Sequence, residues 1–266
     1  MRILTATALL FLAALATADV TFTEKAKVTT SSILRANDSR ATTTNAASIK
    51  GRKMKLAATD DAAKPTRVFI FDGEKTLQRD TFPRKETYGE VTAEGFTNRV
   101  DAAKKRVEDF ETKVESLTGD KQARMSNYIW HTKKVLGLLT QTPSVELKRT
   151  GEKQKIGEWD CERIVITEEN AKGEMETVFD CWMTEQLEGW NAYLDFYAAY
   201  RAFSPAVLEK MRELKGFHVK GTFIPYYFDG DAFLETNEVD NSDVKKVDLA
   251  AAEFEVPANY KNTTKK

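Results

Sequence analysis

Histidine and cysteine are the side chains most often used for metal binding and nucleophilic catalysis, and this chain contains two of each. The histidines, His131 and His218, lie far apart in sequence, and neither has a second histidine or a cysteine at metal-ligand spacing. No serine lies on a glycine-rich elbow, and no glycine cluster that could hold a phosphate precedes a helical pattern. The sequence therefore predicts no metal, no cofactor and no catalytic residue.

Carboxylates are abundant but fall in segments typical of turns. Glu168 and Glu169 form one pair, and Asp229 and Asp231 flank a glycine in another. Acidic residues are common in such turns on conformational grounds alone. We expect a protein that is not an enzyme. An enzyme of an unrecognised type stays open, and two or more titratable groups converging in a cleft would indicate it.

The two cysteines, Cys161 and Cys181, are expected to form a disulfide. They lie on either side of a turn-forming segment, residues 170–173, which is flanked by strand-like runs. A hairpin closed at this turn would place the cysteines opposite each other, within the Cα separation of about 5.5 Å that a bridge requires. A redox role is not expected, because the pair lacks Cys-x-x-Cys spacing.

Aromatic side chains are the most prominent candidates for a binding role. They are concentrated in the second half of the chain, above all in residues 190–203 and 217–228. Ordinary core packing is the alternative for each ring. Taken together, they favour an apolar space between a curved sheet and helices laid over it, where a hydrophobic ligand could bind. The candidate ligand-binding residues are Phe69, Phe71, Trp130, Trp182, Trp190, Tyr193, Phe196, Tyr197, Tyr200 and Phe223.

The elements that must position these rings begin with strands. From Asp19 the chain alternates, with Val20, Phe22, Ala26 and Val28 on one face, as in a half-buried strand. Residues 35–46 are rich in Asn, Asp, Ser and Thr and are predicted to be a loop. Further strands are predicted at residues 48–59, 66–71, 75–80, 144–150, 161–167, 176–183, 217–224, 233–239 and 254–256.

Two helical insertions interrupt the strands. Residues 92–140 carry an apolar stripe at spacings of three and four, broken at residues 118–120, which predicts an antiparallel helical hairpin. A coiled-coil dimer is the alternative reading of this stripe. Residues 188–215 contain an aromatic helix and a second helix that starts at Ser204-Pro205. Strands on both sides of each insertion predict a single α+β domain over residues 19–260, followed by a disordered tail, 261–266.

Residues 1–18 have the pattern of a secretory signal peptide. A cationic start at Arg2 precedes an apolar run, and the small residues 16–18 indicate cleavage after Ala18. The run is shorter than the roughly 20 apolar residues of a membrane span. We therefore expect a soluble protein that does not span the membrane and that is exported to the periplasm, or secreted if the host lacks a periplasm.

The charge balance gives no reason to expect a polyanionic partner. Removal of Arg2 leaves 39 basic against 41 acidic side chains. A near-neutral chain of this kind is not expected to bind nucleic acid or an anionic membrane surface.

Four segments resemble, in this order, the motifs of a secreted family of unknown function. They are RVFIFDGEK at 67–75, TGEKQKIGEWDCERI at 150–164, CWMTE at 181–185 and FEVPANY at 254–260. That family is similar in fold to periplasmic lipoprotein carriers and lipoprotein-sorting proteins. The resemblance implies an incomplete antiparallel half-barrel wrapped round lid helices, with an apolar concave face, and it transfers no catalytic residue.

Two functional hypotheses follow. The first is a non-catalytic periplasmic carrier or binding protein for a hydrophobic small molecule, such as a lipid or an acyl chain, acting as a monomer. The second is an envelope scaffold that binds a protein partner through the helical hairpin; charge reversal at Lys104 or Glu108 would then weaken the complex.

Overall fold

A computed structural model describes residues 19–35, 38–58, 65–228 and 232–264 of the protein. The predicted signal peptide, residues 1–18, lies outside the described residues. Among the helices of the described ranges, none combines the length and the hydrophobicity needed to cross a bilayer.

Thirteen strands of the described chain form one sheet. They are β1 (Asp19–Ser32), β2 (Asp38–Lys50), β3 (Lys53–Ala58), β4 (Val68–Asp72), β5 (Leu77–Phe82), β6 (Thr87–Val91), β7 (Val145–Ile156), β8 (Trp159–Glu169), β9 (Met175–Thr184), β10 (Phe217–Phe223), β11 (Tyr226–Tyr227), β12 (Phe233–Val247) and β13 (Lys261–Asn262). Their order across the sheet is β13-β6-β5-β4-β3-β2-β1-β12-β10-β9-β8-β7, and β11 pairs with β12. β13 and β6 are parallel and the other pairs are antiparallel. The sheet is curved and open, which confirms the predicted α+β class and its antiparallel sheet.

The pairing of β1 with β12 joins the two halves of the sheet. β1 pairs with β12 on one side and with β2 on the other along most of its length. Its alternation is the predicted one, because Phe22 and Ala26 are buried whereas Lys25 and Lys27 are exposed. The inward face of this central strand therefore contributes to the main core.

Four helices of the described residues lie outside the sheet. They are α1 (Ala93–Val114), α2 (Gly119–Leu136), α3 (Trp190–Tyr200) and α4 (Pro205–Arg212). The hydroxyl of Thr92 caps α1, and the hydroxyl of Ser204 caps α4 immediately before Pro205, as expected for the start of a helix.

α1 and α2 are joined by residues 115–118 and pack against each other. The rings of Phe110 and Tyr128 meet edge to face, with centroids 5.1 Å apart, and Lys133 pairs with Glu111 at 2.8 Å. Part of the apolar stripe of α1 is thus covered within the chain. The same cluster includes residues around β11 and the start of β12, which fastens the helical pair to the sheet.

α3 is fastened to two turns of the sheet. Arg52, in the β2–β3 turn, donates from Nε and Nη2 to the two carboxylate oxygens of Asp195, at 2.5 and 2.7 Å. Gly73, in the β4–β5 turn, lies so close to α3 that an added Cβ would clash with the Asp195 carboxylate. A residue with a side chain at position 73 would therefore displace α3 or break this ion pair.

Four local predictions were wrong. The single strand predicted at 48–59 is divided by a turn at residues 51–52 into the end of β2 and β3. Residues 38–46 are part of β2 and not a loop, because they pair with β1 from Asp38 onward. The predicted strand at 254–256 is replaced by a 3₁₀ turn, Ala251–Phe254. Residues 261–264, predicted to belong to a disordered tail, lie along β6, where Lys261 and Thr263 donate backbone hydrogen bonds to Glu86 and Tyr88.

The predicted disulfide is also absent, since both cysteines are free and buried. The β8–β9 register pairs Cys181 with Ile164, three residues beyond Cys161. At about 3.4 Å per residue, this offset separates the two cysteines by about 10 Å along the strands, well beyond the Cα separation of a bridge. The hairpin exists, but its turn is shifted from the position that the symmetric spacing suggested.

Candidate ligand-binding cleft

A cleft of about 710 Å³ lies between α3 and the inward side of the sheet. The residues that line it come from α3, from β1–β5 and from β10–β12, together with the segment before β4. They are Glu24, Ala26, Val28, Thr43, Asn45, Met54, Leu56, Ala58, Thr66, Arg67, Phe69, Gln78, Tyr193, Phe196, Tyr197, Tyr200, Phe223, Tyr227, Phe233, Glu235, Asn237 and Val239.

Helical spacing places four aromatic side chains of α3 over the cleft. Tyr193, Phe196, Tyr197 and Tyr200 lie three and four residues apart, so they share one face of the helix. Phe196 packs edge to face on Phe69 of β4, with centroids 5.5 Å apart. The roof of the cleft is therefore a row of rings that also holds α3 on the sheet.

The floor of the cleft follows the alternation of two central strands. β1 presents Ala26 and Val28, and the partner strand β12 presents Val239 and Asn237 directly opposite them. Val28 is only partly buried, and its partners on the neighbouring strands are Asn237 and Ala41. Because the side chains on this floor are small or of medium size, space remains between them and the aromatic rings of α3.

The structure brings six of the ten predicted ligand-binding residues to this one cleft. They are Phe69, Tyr193, Phe196, Tyr197, Tyr200 and Phe223. Whether these residues bind a ligand stays a prediction.

Two more of the ten lie behind the cleft. Phe71 is fully buried and packs between the rings of Phe96 and Phe196. Trp190 is buried at the start of α3, and its indole nitrogen donates to the Met211 carbonyl at 2.9 Å. Both support the aromatic roof without lining the space.

The other two lie elsewhere. Trp130 is in α2, where the Lys134 ammonium sits over its ring, 4.5 Å from the centroid. Trp182 lines a separate depression with Arg163 and Asp180. Aromatic type alone could not separate these positions from the six in the cleft, because it carries no information on which face or which layer a ring occupies.

Glu24 is a polar wall residue that the sequence reasoning missed. Its carboxylate accepts from Asn45 Nδ2 and from the Tyr193 hydroxyl, each at 3.0 Å, and it is 6% exposed. Burial raises the pKa of Glu24 above its ordinary value, against the lowering effect of these two hydrogen bonds. The signal was present, since Glu24 occupies the one polar position within the apolar alternation of Val20 to Val28.

A second carboxylate, Glu235, lines the cleft from β12. Burial raises the pKa of Glu235, partly offset by a hydrogen bond with Asn237. The hydroxyl of Tyr197 lies within electrostatic reach of both Glu24 and Glu235, and burial raises the pKa of this phenol well above its usual value. The phenol therefore stays protonated, and the acidic side chains of the cleft lining are Glu24 and Glu235.

A polar network closes the β5 side of the cleft. The Tyr200 hydroxyl donates to Gln78 Oε1, Gln78 Nε2 donates to Asp80 at 2.7 Å, and Arg67 donates to the same carboxylate from Nε and Nη2 at 3.0 and 2.6 Å. Gln78 is buried, and its amide is satisfied at both ends.

The cleft thus offers apolar contact, neutral hydrogen-bonding groups, two acidic side chains and one basic side chain, Arg67. Within the described chain, its lining contains no histidine, cysteine, serine or lysine. The described residues also contain no group of three or more His, Cys, Asp or Glu side chains placed to share a metal ion.

One protein family matches this sequence. Its description is "Domain of unknown function (DUF4412)", and the match covers residues 106–260. The chain belongs to the DUF4412 family. This confirms the predicted membership of a family of unknown function. Within this DUF4412 protein, the matched segment contains α3, β10 and β12, whereas β1–β4 precede it. No curated protein matches the sequence.

Several solved structures are similar to the DUF4412 chain at low identity. PNGF-II is 12% identical with a TM-score of 0.35; the match covers 92% of this chain but only 32% of that one. A DUF1329 family protein from Desulfovibrio piger is 9% identical with a TM-score of 0.28, and 90% of each chain is covered. A putative outer membrane lipoprotein-sorting protein domain from Vibrio parahaemolyticus is 8% identical with a TM-score of 0.28, and 89% of each chain is covered. These likenesses are too distant to assign a function.

Proposed function

We propose that this protein is a non-catalytic carrier or binding protein for a hydrophobic ligand, such as a lipid or an acyl chain, and that the ligand occupies the cleft under α3. The observation that carries the proposal is the gathering of eight aromatic side chains round one unfilled space of about 710 Å³. Ligand pockets are commonly of this size and are lined mainly by hydrophobic and aromatic residues. A packed core would have filled the same space with side chains.

We further propose that the sheet acts as a half-barrel and α3 as its lid. The support is that α3 covers the cleft and that its fastening outside the cleft includes one partly exposed ion pair, Arg52 with Asp195. An ion pair exposed to water contributes little to stability. This pair would therefore add little to the cost of lifting the helix, and the main cost is the exposure of buried rings such as Tyr193 and Tyr197.

The proposed place of action is the periplasm. This rests on the signal-peptide pattern of residues 1–18 and predicts that protein recovered from that compartment begins at Asp19. Mass spectrometry of the intact exported protein would check the cleavage site. A mass that still includes residues 1–18 would contradict the export route.

Filling the cleft tests the proposed function. Val28→Trp places a large side chain on the floor of the cleft, and we expect the affinity for the neutral dye Nile red to fall about tenfold or more. Thr29→Trp is the matched control, because the next residue of the same strand points to the other face of the sheet. Fluorescence titration of the two variants and the unmodified protein measures the difference.

Bound material gives an independent check. Native mass spectrometry and organic-solvent extraction of the purified protein should yield a hydrophobic molecule, and Val28→Trp should reduce its amount while Thr29→Trp does not. Equal dye binding by both variants, with no extractable ligand, would refute a ligand in the cleft.

A further inference from the structure

We propose that the ligand is an amphiphile with an uncharged, hydroxyl-bearing head group, which binds to a polar patch formed by Glu24, Thr43 and Asn45 while its apolar chain lies along the rings of α3. This proposal rests on the proposed function and names the class of ligand. It separates long-chain alcohols and monoacylglycerols from fatty acids and fatty amines, whose apolar chains are the same.

The polar patch is compact because its residues lie on two neighbouring strands. The β1–β2 register pairs Glu24 with Asn45 and Ala26 with Thr43, and all four residues line the cleft. Paired residues of antiparallel strands lie about 5 Å apart, and Thr43 is two residues, or about 7 Å, from Asn45 along β2. The patch therefore has the dimensions of a single head group.

Glu24 has acceptor capacity that these contacts do not fill. One oxygen of its carboxylate accepts from Asn45 Nδ2 and the other from the Tyr193 hydroxyl, each at 3.0 Å. A carboxylate has about four acceptor sites, so about two of them remain for a ligand. The contacts with Asn45 and Tyr193 also fix the orientation of the carboxylate on the cleft wall.

Asn45 and Thr43 add neutral groups to the patch. The Asn45 amide uses Nδ2 to donate to Glu24, which leaves its Oδ1 as an acceptor. Thr43 is an exposed residue on the cleft side of β2, and its hydroxyl can both donate and accept. A head group at this patch therefore meets more acceptors than donors.

The donors that would complete Glu24 must come from the ligand. Arg67 is the one cation of the described cleft lining, and its guanidinium is held at Asp80 on β5, three strands from β2 in the sheet. On the other side of Glu24, Asn241 of β12 donates to the His218 carbonyl. The Oδ1 of Asn241 has no partner within the described protein, so this neighbour adds an acceptor and not a donor.

This arrangement discriminates between head groups. A fatty-acid carboxylate has no donor and would bring a second negative charge to Glu24, which is unfavourable. Glu24 is only 6% exposed, so an ammonium group would have to lose most of its water to pair with it, and a buried ion pair often gains no more than this loss costs. A hydroxyl loses less on leaving water, and it can donate to Glu24 or Asn45 while it accepts from Thr43.

The protonation of Glu24 favours the same class. Burial raises the pKa of Glu24 above its ordinary value, against the two hydrogen bonds that lower it. A raised pKa reduces the negative charge that an ammonium group could pair with. A hydroxyl is both a donor and an acceptor, so it can bind either form of the acid.

The experiment compares four ligands with the same twelve-carbon chain and different heads. Monolauroylglycerol, methyl laurate, laurate and dodecylamine are titrated against the purified protein with bound Nile red, below the concentrations at which they form micelles. Methyl laurate is the matched ligand, because it keeps the ester of monolauroylglycerol and lacks the two hydroxyls. We expect monolauroylglycerol to displace the dye at the lowest concentration, about tenfold or more below that of laurate.

A change of one hydroxyl assigns the preference to the patch. Thr43→Val removes the hydroxyl at nearly constant side-chain volume, so the affinity for monolauroylglycerol should fall about threefold while that for methyl laurate is unchanged. Thr42→Val is the matched control, because Thr42 precedes Thr43 on β2 and points to the other face of the sheet.

Two changes at Glu24 separate its charge from its acceptor sites. Glu24→Gln keeps an acceptor and removes the charge, so the preference for monolauroylglycerol over methyl laurate should remain while the affinity for laurate rises. Glu24→Leu removes both and should abolish the preference for monolauroylglycerol. Circular dichroism of each variant checks the fold.

The outcomes separate this inference from the proposed function. Displacement by methyl laurate, laurate or dodecylamine at concentrations equal to or below that of monolauroylglycerol overturns the hydroxyl head group and leaves a hydrophobic cleft. A preference that survives both Thr43→Val and Glu24→Leu, or Thr43→Val alone if Glu24→Leu is unfolded, also overturns it. Failure of all four ligands to displace the dye overturns the proposed function as well.

Discussion

Two neighbouring regions of the interior both contain aromatic residues, but they differ in packing. The packed region, formed by Ile166, Phe179, Trp190, Met211 and Phe217, has side chains that are at most 2% exposed. The cleft lies beside it, and α3 contributes to both. The difference is that inward positions of the cleft strands carry Glu24, Asn45, Asn237 and Glu235. Polar residues on an inward face, and not the number of rings, distinguish the open cleft from the packed core.

The largest expected effect is on the free energy of unfolding, which should fall more for a substitution in the packed region than for one in the cleft. Phe179→Ala should lower the free energy of unfolding by about 3–5 kcal/mol, because a fully buried ring is replaced by a cavity. Phe69→Ala should cost about 1–2 kcal/mol, because Phe69 is only partly buried and already borders open space. Urea unfolding measures both values. Equal losses would mean that the cleft is a continuation of the core.

The next effect concerns the polar group in the packed region. His218 is fully buried among aromatic rings, neither ring nitrogen has a hydrogen-bond partner within the protein, and burial lowers the pKa of His218 to about 3. The unfolded chain binds this proton below a pH of about 6.5, whereas the folded chain does not until a pH of about 3. The stability contributed by neutral His218 is therefore lost progressively as the pH falls through this window.

The measurement compares urea unfolding at pH 7 and pH 5. His218 should lower the free energy of unfolding by about 2 kcal/mol between these two pH values. The variant His218→Phe should not show this decrease. His131 has a pKa lowered to about 3, first by burial and then by Lys134, so a similar residual loss remains in the variant. An unchanged pH dependence in His218→Phe would show that this site is hydrated, unlike the rest of the packed region.

The smallest expected effect is on amide exchange in α3, and it tests the proposal that this helix is a lid. Arg52→Ala removes the ion pair with Asp195. Because the Arg52 side chain is half exposed, the free energy of unfolding should fall by less than about 1 kcal/mol. Amide exchange in α3 should become about threefold faster, while exchange in β9 should not change. Lys27→Ala, which removes another exposed pair on the sheet, is the control. Equal acceleration in both variants would argue against a local fastening of the helix.

Periodic segments were predictable from the sequence because one physical cause dominates them. The apolar residues of segment 96–117 recur at the period of a helix, so a helix buries them together on one face. The alternation after Asp19 fits a half-buried strand. In contrast, residues 38–46 are polar and small, and their strand exists because β1 supplies a partner along that whole length. Pairing between strands is not encoded in local composition.

The site was predictable to the level of residue type. An aromatic helix was predicted within residues 188–215, and the structure puts its residues Tyr193, Phe196, Tyr197 and Tyr200 over the cleft. The disulfide was predicted wrongly, because symmetric spacing about a turn does not fix the register of a hairpin. Glu24 was overlooked because an alternating pattern is judged by its apolar members, although its polar exception was the informative residue.

The long ladder between β1 and β12 has a consequence for how the chain folds. Its two strands begin at Asp19 and Phe233, so they come from opposite ends of the sequence. The centre of the sheet must therefore wait for almost the entire polypeptide, and contacts of such large sequence separation make folding slow. Until β12 arrives, Phe22 and its neighbours on the first strand have an open hydrogen-bonding edge. A fragment limited to residues 106–260 would carry the complementary edge on β12, and such an edge favours self-association.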